Sequence, residues 1–526
     1  MSTTPDGPEA PGDEAPRDAW VSGDTDMDPA AFRAAAHAVV DVMADYLERL
    51  ESYPVLPPVE PGSLRPLFPS EPPEHAEPLE AILADYRRLV EPNATQWQAP
   101  GFLAYFGTTA SGPGVLGEML TAVLGQNPMI WRTSPIGTEL EMVVVDWLRQ
   151  ALGLPTGFDG LITDTASTSS LISLAAARQA AGVDASARGL PGRDVPELRV
   201  YASAEAHSSI DKALMTLGLG RANLIRIETN DRFEMRVDAL EAAIAADRAA
   251  GRRPIAIVAT VGTTSSTSAD PVDRIATVAE RDGLWLHVDA AYAGALAIVP
   301  SRRPAFAGWE RADSIVVNPH KWLFAPLDAS LLLTRRMAAL RETFSLVPEY
   351  LRMLDRETPA RDFTDFTPQL GRRFRALKLW VLLRAFGLEG LRRRLERHCA
   401  LAAMFARWVE ETPEWELLAP VPFSTVCFRH VPAWTAETGP DAARLVDEHN
   451  EAIMAGVNRQ GEAFLSHTRL GGAFTIRLSV GNLRTEERHV ARAWELLRQE
   501  AARLDRERAT VRVEKPAAKK APAVLD

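Results

Sequence analysis

The chain has 526 residues, 46% of them hydrophobic and 24% charged, enough to bury one large core with smaller domains attached. A formal net charge of −12 argues against nucleic acid or anionic lipid as the main partner, because either favours a basic surface. The two cysteines, Cys399 and Cys427, are too few for a disulfide framework and too far apart for a zinc-ligand pair, so a reducing cytoplasm and no metal site are expected.

Residues 1–26 are rich in Pro, Gly, Asp and Glu and lack a basic start or an apolar core, which predicts a disordered tail and not a secretory signal. No apolar stretch approaches the length of a membrane span. Asp28-Pro29 opens a predicted helix through about Glu51, with Phe32, Ala36, Val39, Val40, Met43, Tyr46 and Leu47 on one apolar stripe. The proline-loaded stretch 53–78 reads as an extended connector to a helix over 79–90. Stripe and connector have no local core to pack on, so residues 27–110 are expected to embrace a second subunit.

Trp97 to Thr108 is an aromatic-rich loop with glycines at its bends, which composition alone reads as a core patch. Ser134 as a cap, with Pro135 in the first turn, predicts a helix through Leu152. The hydroxyl run from Asp164 through Ser170 precedes an apolar helix over 171–181; it suits an ordinary cap or a phosphate held by N–H groups and the helix dipole. Strands are expected at 198–202, 255–264, 284–289, 315–317 and 329–334 with helices between them. That alternation predicts a mostly parallel sheet with helices on both faces.

Two of those strands end on reactive side chains. Leu284 to Asp289 runs apolar into a carboxylate followed by Ala290, Ala291 and Tyr292, and a carboxylate so placed can hold a ring nitrogen protonated. Ile315 to Val317 runs through Asn318, Pro319 and His320 into Lys321, whose apolar followers Trp322, Leu323 and Phe324 disfavour its charged form. Such an amine can form a Schiff base, although a lone lysine in an apolar loop also fits a side chain that snorkels to solvent. Lysine, aspartate and small residues in this order supply the parts that pyridoxal phosphate requires.

The run His287-Val-Asp-Ala-Ala-Tyr292 followed by Asn318-Pro-His-Lys-Trp322 resembles the pyridoxal-phosphate-dependent group II decarboxylases, nearest the aromatic-L-amino-acid decarboxylases, over about Met27 to Leu504. The resemblance implies an α/β fold of type I, aspartate aminotransferase-like, and a homodimer with shared active sites. It makes Lys321 the residue that bonds the cofactor aldehyde, Asp289 the partner of the pyridine nitrogen, and Ala291 and His207 contacts on opposite ring faces. Thr165, Ala166 and Ser167 then cradle the phosphate, Asn318 and His320 neighbour it, and Thr264 lies near the cofactor. Trp97, Tyr105, Phe106 and Thr108 line the substrate side, and the loop with Asn127 and Met129 reaches into the neighbour's site. This chain departs from the animal aromatic decarboxylases at Asn127 and Met129, where they carry bulkier apolar or aromatic side chains, and at Asp164, where a glycine is common. The implied reaction is decarboxylation of an L-amino acid, aromatic by resemblance.

Residues 346–366 lack periodicity and read as a lid-like loop. Tyr350, 29 positions after Lys321 (350 − 321), matches the family's catalytic tyrosine. The arginines of 372–375 suit a solvated face or a dimer contact. From Trp415 on, segments 423–428, 442–455, 463–466, 474–478 and 486–504 read as a small α+β domain. The expected division is thus a large cofactor domain over 111–400, a small C-terminal domain over 401–504 and a disordered tail over 505–526.

Overall fold

A computed structural model describes residues 20–21, 25–183, 185–186, 189–190, 192–346 and 360–514. Helix α1 (Pro29–Glu48) starts where Asp28 accepts from the N–H groups of Ala30 and Ala31 at 2.7 and 2.9 Å, with proline in the first turn. It ends three residues before the expected Glu51. Only Ala35 and Val42 of α1 are buried, while Phe32, Val40 and Leu47 of its apolar stripe are exposed. Helix α2 (Leu79–Asp85) continues as a π turn over Tyr86–Val90. Helices α3 (Gly112–Leu124) and α4 (Pro135–Ala151) lead into the large sheet. Ser134 does not cap α4 through its side chain, as expected from sequence, but donates to Gln126 Oε1 at 2.9 Å.

The chain then runs β1 (Asp159–Thr163), α5 (Ala166–Ala180), β2 (Leu198–Ser203), α6 (Ser209–Thr216), β3 (Leu224–Ile227), α7 (Val237–Ala249) and β4 (Arg253–Thr260). It continues through α8 (Val272–Asp282), β5 (Trp285–Asp289), β6 (Ser314–Val317), α9 (Pro319–Trp322), β7 (Ser330–Thr334) and α10 (Met337–Phe344). The seven strands lie in the order β1-β7-β6-β5-β4-β2-β3. Four pairings are parallel, and β7 pairs antiparallel to both β1 and β6. Every residue of β5 and β6 is buried, as a strand covered on both faces requires. The register sets Thr260 beside Asp289 and Asp289 beside Val316, so β4, β5 and β6 end at one edge of the sheet. Ligands collect at such an edge.

Helix α5 begins five residues earlier than the apolar pattern indicates. Three of its four serines are buried and bonded: Ser169 Oγ lies 2.8 Å from Thr163 Oγ1, Ser170 Oγ 3.1 Å from His287 Nε2, and Ser173 donates to Ser169 O at 2.9 Å. A buried helix face made of hydroxyls leaves no hydrophobic period to read.

The long helix α11 (Arg375–Glu411), interrupted at Gly387 (φ 59°, ψ 166°), carries the chain to the small sheet. There β8 (Trp415–Leu417), β9 (Thr425–His430), α12 (Ala442–Gln460), β10 (Ser466–Leu470), β11 (Ala473–Ser479) and α13 (Glu487–Glu514) follow. The sheet is antiparallel in the order β10-β11-β9-β8 and packs Val426, Phe428, Ile476 and Leu478 against Ile453, Trp494 and Leu497 of the two helices. Two expectations fail here. Strand β10 lies at Ser466–Leu470 and not at 463–466, and α13 continues ten residues into the stretch expected to be disordered. Arg503 pairs with Glu500 and Glu507 one turn away on either side, so charge pairs support the helix beyond its apolar contacts at Trp494, Leu497 and Ala501. Among the described residues, no helix is long and apolar enough to cross a membrane.

Candidate active site

At the common edge of β4, β5 and β6 lies a cavity of about 190 Å³ lined by Phe106, Thr165, Ala166, Ser167, His207, Thr260, Gly262, Thr264, Asp289, Ala291, Tyr292, Asn318, His320 and Lys321. Sequence reasoning names eleven of these fourteen; Thr260, Gly262 and Tyr292 are additional, although each stands inside a stretch singled out for another residue. Gly262 has φ +87°, and a Cβ there would meet Ala293 Cβ at 2.6 Å, so the wall admits only glycine.

Lys321 stands in the one-turn helix α9 directly after β6, with its Nζ 5.3 Å from the centroid of the Phe106 ring. Burial lowers its amine below the ordinary lysine value, and the negative charge of Asp289 opposes that shift. Asp289 is 6% exposed, and its Oδ1 accepts from Ala291 N at 3.1 Å. His207 sits exposed at the rim, where Nδ1 accepts from Ser209 N at 3.1 Å, so a neutral ring carries its proton on Nε2. Partial desolvation lowers its pKa, Asp289 raises it and Lys321 lowers it again. His320 accepts Ala329 N through Nδ1 at 3.0 Å, and burial holds it neutral with a pKa lowered to about 4.

Phe106 is fixed from behind by a column of rings. It stacks on Tyr292 at 3.9 Å, Tyr292 on Trp322 at 4.6 Å, and Trp322 Nε1 donates to His398 Nδ1 at 2.9 Å. Arg477 on β11 lies with its guanidinium 5.4 Å from the same Phe106 ring. It donates to Ser265 O and Ser466 Oγ, while its Nη2 is buried without a hydrogen bond. Sequence reasoning missed Arg477, whose signal is a charged residue inside the buried strand Ala473–Ser479.

The remaining candidates lie elsewhere in the chain. Trp97 stacks on Phe102 at 4.2 Å and on Tyr105 at 6.2 Å, and Trp97 and Tyr105 are exposed beside the cavity wall without lining it. Thr108 is outside the lining as well. Asn127 and Met129 do not join this cavity: Asn127 Oδ1 accepts Arg372 N at 2.9 Å and Met129 O accepts Thr364 N at 3.1 Å. Asp164 pairs locally, as its charge requires, accepting from Thr165 N at 2.6 Å. Tyr350 lies outside the described residues. A larger cleft of about 660 Å³ occupies the opposite end of the sheet, where Arg311 pairs with Glu280 and Arg336 with Asp313. None of the candidates faces it.

Residues 61–431 match the family described as the pyridoxal-dependent decarboxylase conserved domain. The chain belongs to the pyridoxal-dependent decarboxylase family. The decarboxylase is 40% identical to a tryptophan decarboxylase of Camptotheca acuminata, over 90% of this chain and 95% of that protein. It is 38% identical to a phenylacetaldehyde synthase of Arabidopsis thaliana, over 91% and 97%. The crystal structure of Oryza sativa TDC with PLP and tryptamine superimposes with a TM-score of 0.86 at 36% identity, covering 91% of this chain and 99% of that one.

The cofactor of the decarboxylase is pyridoxal phosphate, and the cavity fits it. Asn318 Oδ1 and Thr260 Oγ1 are buried in the wall without partners, and buried polar atoms seek a ligand. Thr165 precedes α5 in an extended conformation and makes no side-chain cap, which leaves first-turn N–H groups of a 15-residue helix directed at this lining. An anion at that helix end, a ring between Ala291 and His207, and a lysine within the same cavity are mutually compatible.

Proposed function

We propose that the decarboxylase converts an aromatic L-amino acid to its amine and carbon dioxide, as a cytoplasmic homodimer whose active sites are shared. The observation that carries the reading is the convergence of Lys321, Asp289, His207 and the α5 N-terminus on one cavity. When bound, pyridoxal phosphate supplies the electron sink that accepts the pair released when the Cα–carboxylate bond breaks. Lys321, with its charged form disfavoured by burial, is the amine that would hold the cofactor through its aldehyde. Asp289 would hold a proton on the ring nitrogen, with Ala291 and His207 beside the ring. Thr165, Ala166, Ser167 and Thr264, with Asn318 and His320 beside them, would anchor the phosphate. Tyr350 delivers the proton to Cα of the product, with His207 as its relay through Nε2–H.

For the substrate, Trp97, Tyr105 and Phe106 form an aromatic rim suited to an aromatic side chain, and Thr108 adjoins it. Arg477, whose guanidinium lies 5.4 Å from the Phe106 ring, is a buried cation beside that rim and would favour a substrate that carries a carboxylate. Support for the dimer comes from α3, where Leu116, Leu120, Val123 and Leu124 form an exposed stripe 53–69% accessible. The loop with Asn127 and Met129 follows that stripe directly, so a second copy docked on α3 would lie beside it. Cys399 and Cys427 are both free and buried, which supports a reducing compartment.

The second reading is decarboxylation coupled to oxidative deamination, giving an aldehyde. The similarity to a phenylacetaldehyde synthase favours it, while the presence of Tyr350 with His207 favours the amine. Decarboxylation of an acidic or diamino acid is a further alternative, since Asn127 and Met129 depart from the bulkier aromatic pattern. The test is incubation with the twenty amino acids, DOPA and 5-hydroxytryptophan, scored for amine, aldehyde and carbon dioxide, with Lys321→Ala as control. Amine and carbon dioxide in equal amounts from aromatic substrates are expected. Turnover confined to acidic or diamino substrates overturns the aromatic reading, and turnover by Lys321→Ala overturns the role of the lysine.

A further inference from the structure

The small domain holds a side-chain cluster that the decarboxylation site does not use. His430 ends β9, His449 stands in α12 and Asp505 in α13, and none of them lines the cofactor cavity. His430 Nδ1 and His449 Nε2 lie 3.0 Å apart, and His449 Nε2 lies 3.9 Å from Asp505 Oδ1. One donor atom from each residue falls within 4.8 Å of the others, the one such trio of His, Cys, Asp or Glu among the described residues. The imidazoles are 4% and 8% exposed.

The surroundings hold these groups as ligands are held. Glu414 Oε2 lies 3.8 Å from His430 Nε2, which favours the proton on that nitrogen and the lone pair on Nδ1, toward His449. Trp434 Nε1 donates to Asp505 Oδ1 at 2.8 Å. Trp415 packs on His430 at 4.8 Å between centroids and Trp434 meets His449 edge-on at 5.8 Å, so neither ring turns freely. The charged groups facing the cluster are Asp505 and Glu414, which attract a cation, and Arg508, stacked on Trp434 at 3.7 Å, which opposes it.

We propose that His430, His449 and Asp505 form a binding site for a divalent transition-metal ion, with the fourth position open to water. Two imidazole nitrogens and one carboxylate oxygen suit Zn²⁺, Co²⁺ or Ni²⁺, whereas Mg²⁺ and Ca²⁺ favour oxygen ligands throughout. Bonds of about 2.0–2.2 Å require the two nitrogens to part slightly and the half-exposed Asp505 to swing inward. The ion ties the end of β9 and α12 to the last helix, a clip remote from the cofactor. The composition-based expectation of no metal rests on cysteine spacing. It overlooks histidines 19 positions apart that only the packing of the small domain brings together.

The test uses tag-free holoenzyme stripped with EDTA, titrated with Zn²⁺ by calorimetry and with Co²⁺ by visible absorption. One equivalent per chain is expected to bind saturably and raise the melting temperature, with decarboxylation measured before metal addition left intact. His449→Gln and the conservative Asp505→Asn should each weaken binding at least about tenfold, and Trp434→Phe by about 10–100-fold, with cofactor content unchanged. Absence of saturable Zn²⁺ binding by the stripped wild type overturns the site. So does binding of unchanged stoichiometry and affinity in both His449→Gln and Asp505→Asn.

Discussion

Arg372 Nη2 donates to Glu141 Oε1 at 2.6 Å across 231 positions of sequence, with both side chains almost wholly buried. The same Glu141 oxygen accepts Ile162 N at 2.8 Å, and Arg372 also donates to Ile162 O and Pro128 O. One ion pair therefore ties the approach to α11, the core of α4, strand β1 before α5 and the loop of Asn127. Removing one partner of a buried pair leaves a charge in the interior at a cost of about 3–5 kcal/mol. Arg372→Met should show that loss in chemical denaturation of the holoenzyme, and Arg372→Met with Glu141→Leu should recover part of it. An unchanged midpoint for the single variant contradicts the pair's role.

Asp289→Asn should lower kcat by about 10²–10³, the range seen when one preorganised electrostatic group is lost from a dry site. The cofactor should stay bound, because the residues proposed to hold its phosphate at α5 are untouched. Steady-state rates with cofactor content measured in parallel decide it, and a mild effect means that another acid holds the ring nitrogen.

Tyr350→Phe should divert the product without preventing loss of carbon dioxide. A Cα that receives no proton is open to dissolved oxygen. Each turnover then consumes one amino acid, one O₂ and one water and yields aldehyde, carbon dioxide, ammonia and hydrogen peroxide. Oxygen uptake together with product analysis tests this; full amine yield with no oxygen consumed removes Tyr350 from the proton transfer.

Leu120→Glu places a charge in the middle of the exposed α3 stripe and should convert a dimer into monomers with most of the activity lost. Sedimentation of wild type and variant at equal concentration, with activity assayed on each, makes the comparison. A fully active monomer refutes shared sites.

Stability should fall as the pH drops from about 7 toward 4. His287, His320 and His398 are buried and held neutral, with pKa values lowered to about 4, 4 and 3. A group whose folded pKa is depressed stabilises the fold above its unfolded value of about 6.5, and that contribution is lost as pH falls to the folded value. Asp270 acts oppositely, since burial raises its carboxyl to about 7 and its neutral form gains stability over the same range. At about 1.4 kcal/mol per pKa unit, three histidines outweigh one acid. Denaturation midpoints at pH 7.5 and 5.0 should show the decline, and His287→Gln should reduce its slope. A flat or rising profile contradicts the assignment.

Much of the cofactor cavity was legible in the sequence because its groups sit at the ends of short apolar strands, where a β-branched run gives way to Asp289, Asn318 or Thr264 within a few residues. Local sequence determines where such a strand stops, and the parallel sheet then brings consecutive strand ends to one edge. The antiparallel placement of β7, the buried face of α5 and the position of Arg477 are different in kind. They depend on which strand pairs with which and on hydroxyl and guanidinium partners far away in the chain, and no periodicity reports those. Asn127 and Met129 could be read as loop residues from sequence, but only the tertiary structure showed that Arg372 holds Asn127 away from the cavity of its own chain. The strand-end chemistry of Lys321 and Asp289 was therefore determined by the sequence itself. The union of His430, His449 and Asp505, and the burial of Arg372 against Glu141, were decided by packing, because a side chain's distant partner is a property of the folded surface it meets and not of its neighbours in the chain.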